Sequence, residues 1–393
     1  MTFSKFLKTF LPHRMKRQIR ELFIATTMVN FALAMVTLFE PIYLYKIGYS
    51  LHFIMLFYII TYVLYFVIMP LGAKFAKWKG YENGLLIGTF LYIVFYIGLF
   101  FIADYPILFY IVPVIFALQK MFYWPAYHAD FARFSNNIEA GREISAITVT
   151  SSLVYIIGPA MAGFIIFVWG YGVLFTVASL LFLLSNVFTL MTIEKFEPSE
   201  FSYGYTYKNL FSRENRKSFL AYTGFGEELV VMVVWPIFIS IIIVNVLDLG
   251  IIIALATLIT TLIVFYIGKF SDVYNKRYIL RLGSAFYSLA WFIRIFITNT
   301  IGIFFIDTMS KLGKNVIAVP LTAITYEEAK EVKSDHHKHI MSRIVFFEMS
   351  LVVGKIVALL LVFLITLLIS DEVFAFRITF VLAGAMSLLY LLL

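Results

Sequence analysis

The chain has 393 residues, of which 62% are hydrophobic and only 14% are charged, and its formal net charge is +8. A soluble protein of this length needs more polar residues to cover its surface, so the composition excludes a soluble globular fold. The chain has no cysteine, which excludes disulfides and cysteine-based metal sites. Its apolar residues occur in runs of about twenty, the length of a helix that crosses about 30 Å of hydrocarbon. We therefore expect a helical membrane protein.

The N-terminal segment, residues 1–20, is basic and moderately amphipathic, and it lacks the long apolar core and cleavage site of a signal peptide. We expect it to lie on the cytoplasmic membrane surface, held by anionic lipid. The apolar windows that follow predict twelve spans, which we number in chain order. They cover residues 21–46, 51–73, 84–104, 107–130, 143–169, 171–193, 218–245, 249–268, 278–298, 300–326, 341–369 and 373–393. The polar stretch 194–217 predicts a cytoplasmic linker between two six-helix bundles at 21–193 and 218–393.

The charges on alternate loops predict the orientation of the chain. Most of the 31 Lys and Arg residues lie in one set of loops, whereas the other set contains Lys46 and otherwise acidic or neutral residues. By the positive-inside rule the Lys- and Arg-rich loops are cytoplasmic. An even number of spans then places both termini in the cytoplasm, and we expect a multi-pass protein of the plasma (inner) membrane.

The chain repeats itself at an offset of 195 residues, which carries Pro41 in span 1 onto Pro236 in span 7. The same offset carries Pro125 in span 4 onto Pro320 in span 10. Further matches lie in spans 3 and 9, where Leu85, Gly88 and Tyr92 correspond to Leu280, Gly283 and Tyr287. Six spans separate equivalent positions, so the two halves share one orientation. The sequence thus predicts an all-α membrane protein, with twelve transmembrane helices arranged as two parallel six-helix repeats around a central cavity.

The segment from Gly268 to Arg277 resembles the loop motif between the second and third helices of a half in the major facilitator superfamily. Gly268, Asp272, Lys276 and Arg277 match that motif, while Asn275 replaces its second glycine. In the first half, Lys77 stands where the motif has Asp. With the repeat, the resemblance covers the whole chain. It implies a secondary transporter in which spans 1, 4, 7 and 10 line the cavity and Asp272 helps to latch the cytoplasmic side.

A second resemblance lies in span 5. Gly158, Pro159 and Gly163 are similar to the Gly-Pro stretch of the drug-exporter branch, with Ala162 replacing one glycine. The alternative interpretation is a kinked, closely packed helix, because small residues and proline are common in membrane helices.

Ionisable side chains in a membrane are costly unless they face a cavity or a partner, so their positions indicate function. Glu227 and Glu228 are adjacent and point about 100° apart on a helix, so at most one faces the cavity squarely. Pairing with a lysine of span 10 or 11 is the alternative for both. Glu40 is either an extracellular gate or an ordinary helix-end carboxylate. The carboxylates predicted to carry a coupling proton are Glu227, Glu228, Asp307 and Glu40.

Asp307, Lys311 and Lys314 form one stripe of span 10, which either neutralises itself or recognises an anion or another polar group. By contrast, Arg294 and Arg377 lie near the outer ends of spans 9 and 12, where we expect them to reach towards the membrane surface. The side chains predicted to line the substrate cavity are Lys120, Trp124, Tyr127, Trp235, Lys311, Lys314, Glu348 and Lys355.

No other motif indicates catalysis or a cofactor. The histidine-rich segment 335–339 lies in a charged loop, where solvated side chains are a simpler explanation than a metal site. No phosphate-binding loop of the ATPase type is present. We expect no enzymatic activity, no cofactor and no metal.

The leading functional hypothesis is a proton-coupled exporter of small amphipathic or lipophilic compounds that works by alternating access. One alternative is a proton-coupled importer or symporter of a polar or anionic solute, favoured by the lysines of span 10. A lipid or lysolipid flippase and a non-transporting membrane sensor are the others. The expected partners are a small-molecule substrate, protons and the lipid bilayer. We expect a monomer that binds no nucleic acid.

Overall fold

The computed structural model describes residues 17–134, 140–190, 203–267, 276–330 and 340–393, and all regular structure in these ranges is helical. In the first half, span 1 consists of Arg17–Val36 and Phe39–Lys46, and span 2 is Leu51–Lys79. Spans 3 to 6 are Tyr81–Phe100, Leu108–Phe134, Ala140–Trp169 and Tyr171–Leu190. A short helix, Tyr203–Leu210, lies within the predicted linker.

In the second half, span 7 runs from Arg216 to Ile242. Spans 8 to 11 are Val246–Ile267, Lys276–Arg294, Thr300–Lys330 and Ile340–Leu368. Span 12 is Glu372–Ser387, extended by a 3₁₀ segment at Leu388–Leu392. Among the described residues, ten spans are long and apolar enough to cross a membrane. Spans 9 and 10 are helices of 19 and 31 residues that carry several charged side chains. The predicted all-α membrane fold is confirmed.

The helices of spans 1 and 7 are interrupted at equivalent positions. Span 1 breaks at Thr37 and Leu38, where Pro41 has no N–H to offer the carbonyl of Thr37. Span 7 contains a 3₁₀ turn at Gly224–Gly226 and a π-helical turn at Val230–Val234, just before Pro236. Since the 195-residue offset carries Thr37 onto Met232, the break in span 1 and the π-helical turn in span 7 follow from the same missing donor.

Packing within the two halves is also alike. A Cβ on Gly88 would lie 2.7 Å from the Cβ of Tyr123 in span 4, and one on Gly283 would lie 2.8 Å from Val316 in span 10. Neither position has room for a side chain, so spans 3 and 4, and likewise spans 9 and 10, approach closely. These contacts are consistent with the predicted repeat.

The connection between spans 2 and 3 is shorter than expected. The sequence predicts a loop at residues 74–83, but helix continues on both sides of Gly80, which alone turns the chain at φ 90°. Only glycine adopts this conformation readily. Lys77 and Lys79 therefore lie on the last turn of a helix. Gly170 makes a similar one-residue connection between spans 5 and 6, at φ 84°.

The two halves meet along spans 2 and 11, spans 5 and 8, and the outer parts of spans 1 and 7. We call one end of the bundle the short-loop end, because residues 47–50, 101–107, 170, 243–245, 295–299 and 369–371 connect the spans there. The opposite end carries the helix Tyr203–Leu210 and is called the linker end. Near the short-loop end, the Tyr45 hydroxyl donates to Glu372 across the halves at 3.0 Å.

Candidate substrate and coupling site

Among the described carboxylates of the second half, Glu227 is the most buried, with 0% of its surface exposed. It accepts hydrogen bonds from the hydroxyls of Tyr287, at 2.6 Å, and Tyr390, at 3.1 Å. Its third partner is the ammonium of Lys314 on span 10. The 3₁₀ and π turns of span 7 flank this residue. Glu227 therefore ties spans 7, 9, 10 and 12 together.

The neighbouring Glu228 points towards span 11. Its carboxylate lies 2.9 Å from the ammonium of Lys355 and 3.4 Å from that of Lys314, and 21% of the side chain is exposed. Span 11 comes this close because Gly354 packs against the backbone of span 7, where a Cβ would lie 2.7 Å from the Cα of Thr223. Of the two adjacent glutamates, Glu228 is thus the accessible one.

Glu348 links the two halves. On span 11 it accepts a hydrogen bond from the Tyr65 hydroxyl of span 2, at 3.1 Å, and lies 2.9 Å from Nε2 of His128 on span 4. The carboxylate is buried, whereas 19% of the histidine side chain is exposed. Both contacts cross from one half to the other and lie towards the linker end.

Two of the predicted aromatic residues surround this contact. The ring of Trp124 stacks on His128 with centroids 5.7 Å apart, and the ring of Tyr127 stacks on Tyr123 at 5.7 Å. All four residues belong to one stretch of span 4. Trp124 and Tyr127 therefore lie beside the pair of His128 and Glu348, where the halves meet.

Asp307 on span 10 is the centre of a second cluster. One of its carboxylate oxygens lies 2.6 Å from the Lys311 ammonium, and the other accepts a 3.1 Å hydrogen bond from the indole N–H of Trp235. A guanidinium nitrogen of Arg294 is 4.0 Å away. The predicted stripe of span 10 thus divides: Asp307 neutralises Lys311, while Lys314 pairs with span 7.

The expectation that Arg294 reaches the membrane surface is wrong. The residue is only 1% exposed, and its guanidinium lies between the rings of Trp235 and Trp291, 4.1 and 3.8 Å from their centroids. We call these two indoles the aromatic slot, because the cation lies over the faces of both rings. Arg294 therefore belongs to the buried cluster of Asp307.

In the first half, Glu40 is buried and accepts hydrogen bonds from Tyr58, at 2.7 Å, and Tyr96, at 3.1 Å. Lys120 is also buried, with its ammonium 4.0 Å from the ring centroid of Phe116 and 5.2 Å from that of Tyr62. The ring of Tyr62 also lies 5.6 Å from the ammonium of Lys355. Tyr62 thus stands between a lysine of each half.

Comparison with known proteins places this arrangement in a family. The profile of the Major Facilitator Superfamily matches residues 22–306, which is most of the chain. The chain belongs to the major facilitator superfamily. A crystal structure of a mutant of the nucleoside transporter NupG superposes on it with a TM-score of 0.70 and 13% sequence identity, over 95% of this chain and 98% of that chain. No curated protein matches the chain in sequence.

At 13% identity, the likeness to NupG shows the fold alone. The family match and the apolar helices identify a multi-pass membrane transporter. The resemblance stated from the sequence is therefore confirmed, as is the fold class that it implied.

Part of the predicted gating motif of this major facilitator protein lies outside the described residues, namely Gly268 and Asp272. Lys276 and Arg277 form the exposed first turn of span 9. The span-5 motif is fully described. A Cβ on Gly158 would lie 2.7 Å from that of Ala34 in span 1, and one on Gly163 would lie 3.3 Å from the Cα of Gly250 in span 8. The motif thus packs span 5 tightly on both halves, which supports the alternative of a closely packed helix.

The tyrosine hydroxyls were not predicted as parts of the site. They hydrogen-bond the buried carboxylates in both halves, as Tyr58, Tyr65, Tyr96, Tyr287 and Tyr390 show. The one available signal was the match of Tyr92 and Tyr287 in the repeat, which marks a face of spans 3 and 9 that points inward. His128 was likewise not predicted, although its position one turn after Trp124 places it on a cavity span.

Proposed function

We propose that the protein is a proton-coupled secondary transporter that moves a small polar solute by alternating access between its halves. The observation that carries the proposal is the chain of charged groups from Glu228 through Lys355 to the contact of Glu348 with His128. Charges inside a membrane persist where they pair with one another and face a polar path. The side chains of Glu228, Lys311 and Lys314 are partly exposed and provide the polar surface of such a path.

Glu228 is the carboxylate best placed to take up the coupling proton. It is shared between Lys314 and Lys355, and it is the more exposed of the two adjacent glutamates. Protonation would remove the negative charge that both ammonium groups share. Lys355 would then be free to bind the solute or to shift towards Glu348. Glu227, Asp307 and Glu40 have more enclosed partners, and we assign them to holding the helices in place.

Alternating access needs contacts at both ends that break in turn. Near the short-loop end, the contact of Tyr45 with Glu372 and the close approach of spans 5 and 8 hold the halves together. Towards the linker end, His128 and Glu348 do so. By the positive-inside rule the linker end is cytoplasmic, in a plasma membrane with both termini inside. The predicted domain boundaries and a monomeric state are part of this proposal.

Export of amphipathic compounds is the second candidate. The rings of Trp124 and Tyr127 beside His128 favour it, because aromatic surfaces bind flat or cationic apolar groups. The same rings suit the base of a nucleoside, and NupG is a nucleoside transporter. The uptake assay therefore compares polar solutes with lipophilic cations.

Transport by purified protein in liposomes tests the proposal. The full chain is reconstituted, a pH gradient of either sign is imposed, and the uptake of labelled nucleosides, organic acids, amino acids and lipophilic cations is measured. We expect gradient-driven uptake of at least one polar solute. It should be lost in Glu228→Gln and kept in Glu214→Gln, which changes an exposed glutamate outside the cluster. Gradient-driven uptake of lipophilic cations alone would support the exporter instead. Gradient-driven uptake that survives in Glu228→Gln would exclude this carboxylate as the coupling group.

A further inference from the structure

The guanidinium of Arg294 is buried without enough hydrogen-bond acceptors. Its distance of 4.0 Å from Asp307 is too long for a hydrogen bond. Within the described part of the chain, its Nε and Nη1 atoms are buried and have no hydrogen-bond partner. Burying a cation is unfavourable unless it is paired and hydrogen-bonded. The aromatic slot stabilises the cation, but the N–H groups at Nε and Nη1 still need acceptors.

The neighbouring carboxylates are already in use. Asp307 accepts from Trp235 and pairs with Lys311, so one negative charge serves two cations. Glu227 accepts from Lys314 and two tyrosines. The cluster of Arg294, Lys311 and Asp307 therefore has an excess of one positive charge. A single added anion would neutralise it.

Lys311 is the partly exposed member of this cluster. Its side chain is 30% exposed, and its ammonium donates to the hydroxyl of Thr257, at 2.8 Å, and the carbonyl of Ile253, at 3.3 Å. Both acceptors lie on span 8 and hold the ammonium near Asp307. Of the two cations, Lys311 is therefore the accessible one, and Arg294 is the buried one.

We infer that Arg294 and Lys311 form a binding site for one small monovalent anion beside Asp307. A carboxylate fits the planar guanidinium through two parallel hydrogen bonds, and a halide meets the same charge requirement. The anion is therefore either a carboxylate group of the transported solute or a free halide. The first of these sources rests on the proposed function, whereas the site itself does not.

The test uses the melting temperature of the purified full-length protein in detergent. Sodium formate, acetate and chloride are compared at constant pH and ionic strength, with the bulky morpholinoethanesulfonate anion as the reference. A ligand that binds the folded protein raises the melting temperature with increasing concentration. We expect a saturable rise in at least one of the three small anions and none in the reference.

Four variants connect the effect with the cluster. Arg294→Met and Lys311→Met each remove the excess charge, and both should abolish the rise. Asp307→Asn removes the competing carboxylate, and its half-saturating concentration should fall about tenfold, which is 1.4 kcal/mol. Lys46→Met, which removes an exposed charge outside the cluster, should respond like the wild type. If Arg294→Met does not fold, Lys311→Met and Asp307→Asn decide the question.

The outcomes separate the two anion sources and the two proposals. A response to formate or acetate supports a solute carboxylate, and a response to chloride alone supports a free halide. Equal melting of the wild type in all four salts, or an unchanged response in Lys311→Met and Asp307→Asn, would overturn the site. Melting requires no transport, so an anion response without any flux driven by a pH gradient contradicts only the proposed function.

Discussion

At the scale of single residues, acidic and basic side chains alternate in the buried site. Most of these side chains have more than one partner. Lys314 lies between Glu227 and Glu228, and Glu228 lies between Lys314 and Lys355. A charge shared in this way is compensated even if one contact lengthens. Such an arrangement suits a protein whose helices must shift, because no single movement leaves a charge alone in an apolar medium.

Replacing Glu227 by Gln should destabilise the protein more than the same change at Glu228. Glu227 is fully buried and holds three donors, so its loss weakens charge-assisted hydrogen bonds by about 2 kcal/mol. Glu228 is partly exposed, and water can replace some of its contacts. Thermal melting of both purified variants measures the difference. An equal or larger loss in Glu228→Gln would show that burial does not set the strength of these contacts.

The sequence predicted the charged residues of the site but not their neutral partners. Glu227, Lys314 and Glu348 could be found because a charge within an apolar span has few explanations. The tyrosines could not be found in this way, since the chain has 25 tyrosines and the residue type alone does not mark a site. The sequence predicted Arg294 at the membrane surface because the residue lies near the end of span 9. Two indoles, one from span 7, provide a place for it that no local pattern reveals.

At the scale of helices, prolines and glycines decide where the spans bend and touch. The sequence predicted every span, and its errors lie at the ends and in the breaks. Span 2 continues to Lys79, and span 7 is interrupted by 3₁₀ and π turns. Hydropathy reports the length of an apolar run but not its hydrogen bonding. The break in span 1 and the π turn in span 7 could have been anticipated from Pro41 and Pro236, through the donors that they lack.

Replacing Gly250 by Leu should prevent the close contact of spans 5 and 8. A Cβ at this position would lie 3.2 Å from the Cα of Gly163 and against the backbone of Pro159, which cannot move aside. We expect the short-loop end to stay open. Because the protein has no cysteine, one introduced at buried Ile239 of span 7 reports this opening through faster labelling.

The matched control is Gly204→Leu, since a Cβ at Gly204 meets no atom within 4 Å. This variant should label at the rate of the parent that carries the cysteine alone. Unchanged labelling in Gly250→Leu would mean that spans 5 and 8 can separate without opening the short-loop end.

At the scale of the whole molecule, contacts towards the two ends oppose each other. Tyr45 and Glu372 hold the short-loop end, while His128 and Glu348 hold the halves together nearer the linker end. The free-energy difference between closure at one end and closure at the other depends on only a few interactions. Each contact therefore has a measurable influence on which end opens.

Changes to these two contacts should shift the same equilibrium in opposite directions. Tyr45→Phe removes a hydrogen bond to a carboxylate, and about 1 kcal/mol corresponds to a roughly fivefold shift towards opening at the short-loop end. His128→Leu weakens closure towards the linker end and should make labelling of a cysteine at Ile239 slower. The double variant should label at nearly the parent rate. Faster labelling in both single variants would contradict an equilibrium in which one end opens while the other closes.

The indole slot around Arg294 also has an optical consequence. Of the five tryptophans, Trp78 and Trp169 are exposed and Trp124 is partly buried, whereas Trp235 and Trp291 are buried against the guanidinium. A water-soluble quencher removes the emission of exposed indoles first. The emission that remains includes that of the two rings that touch Arg294, so the protein contains its own fluorescent reporter for the charge of that site.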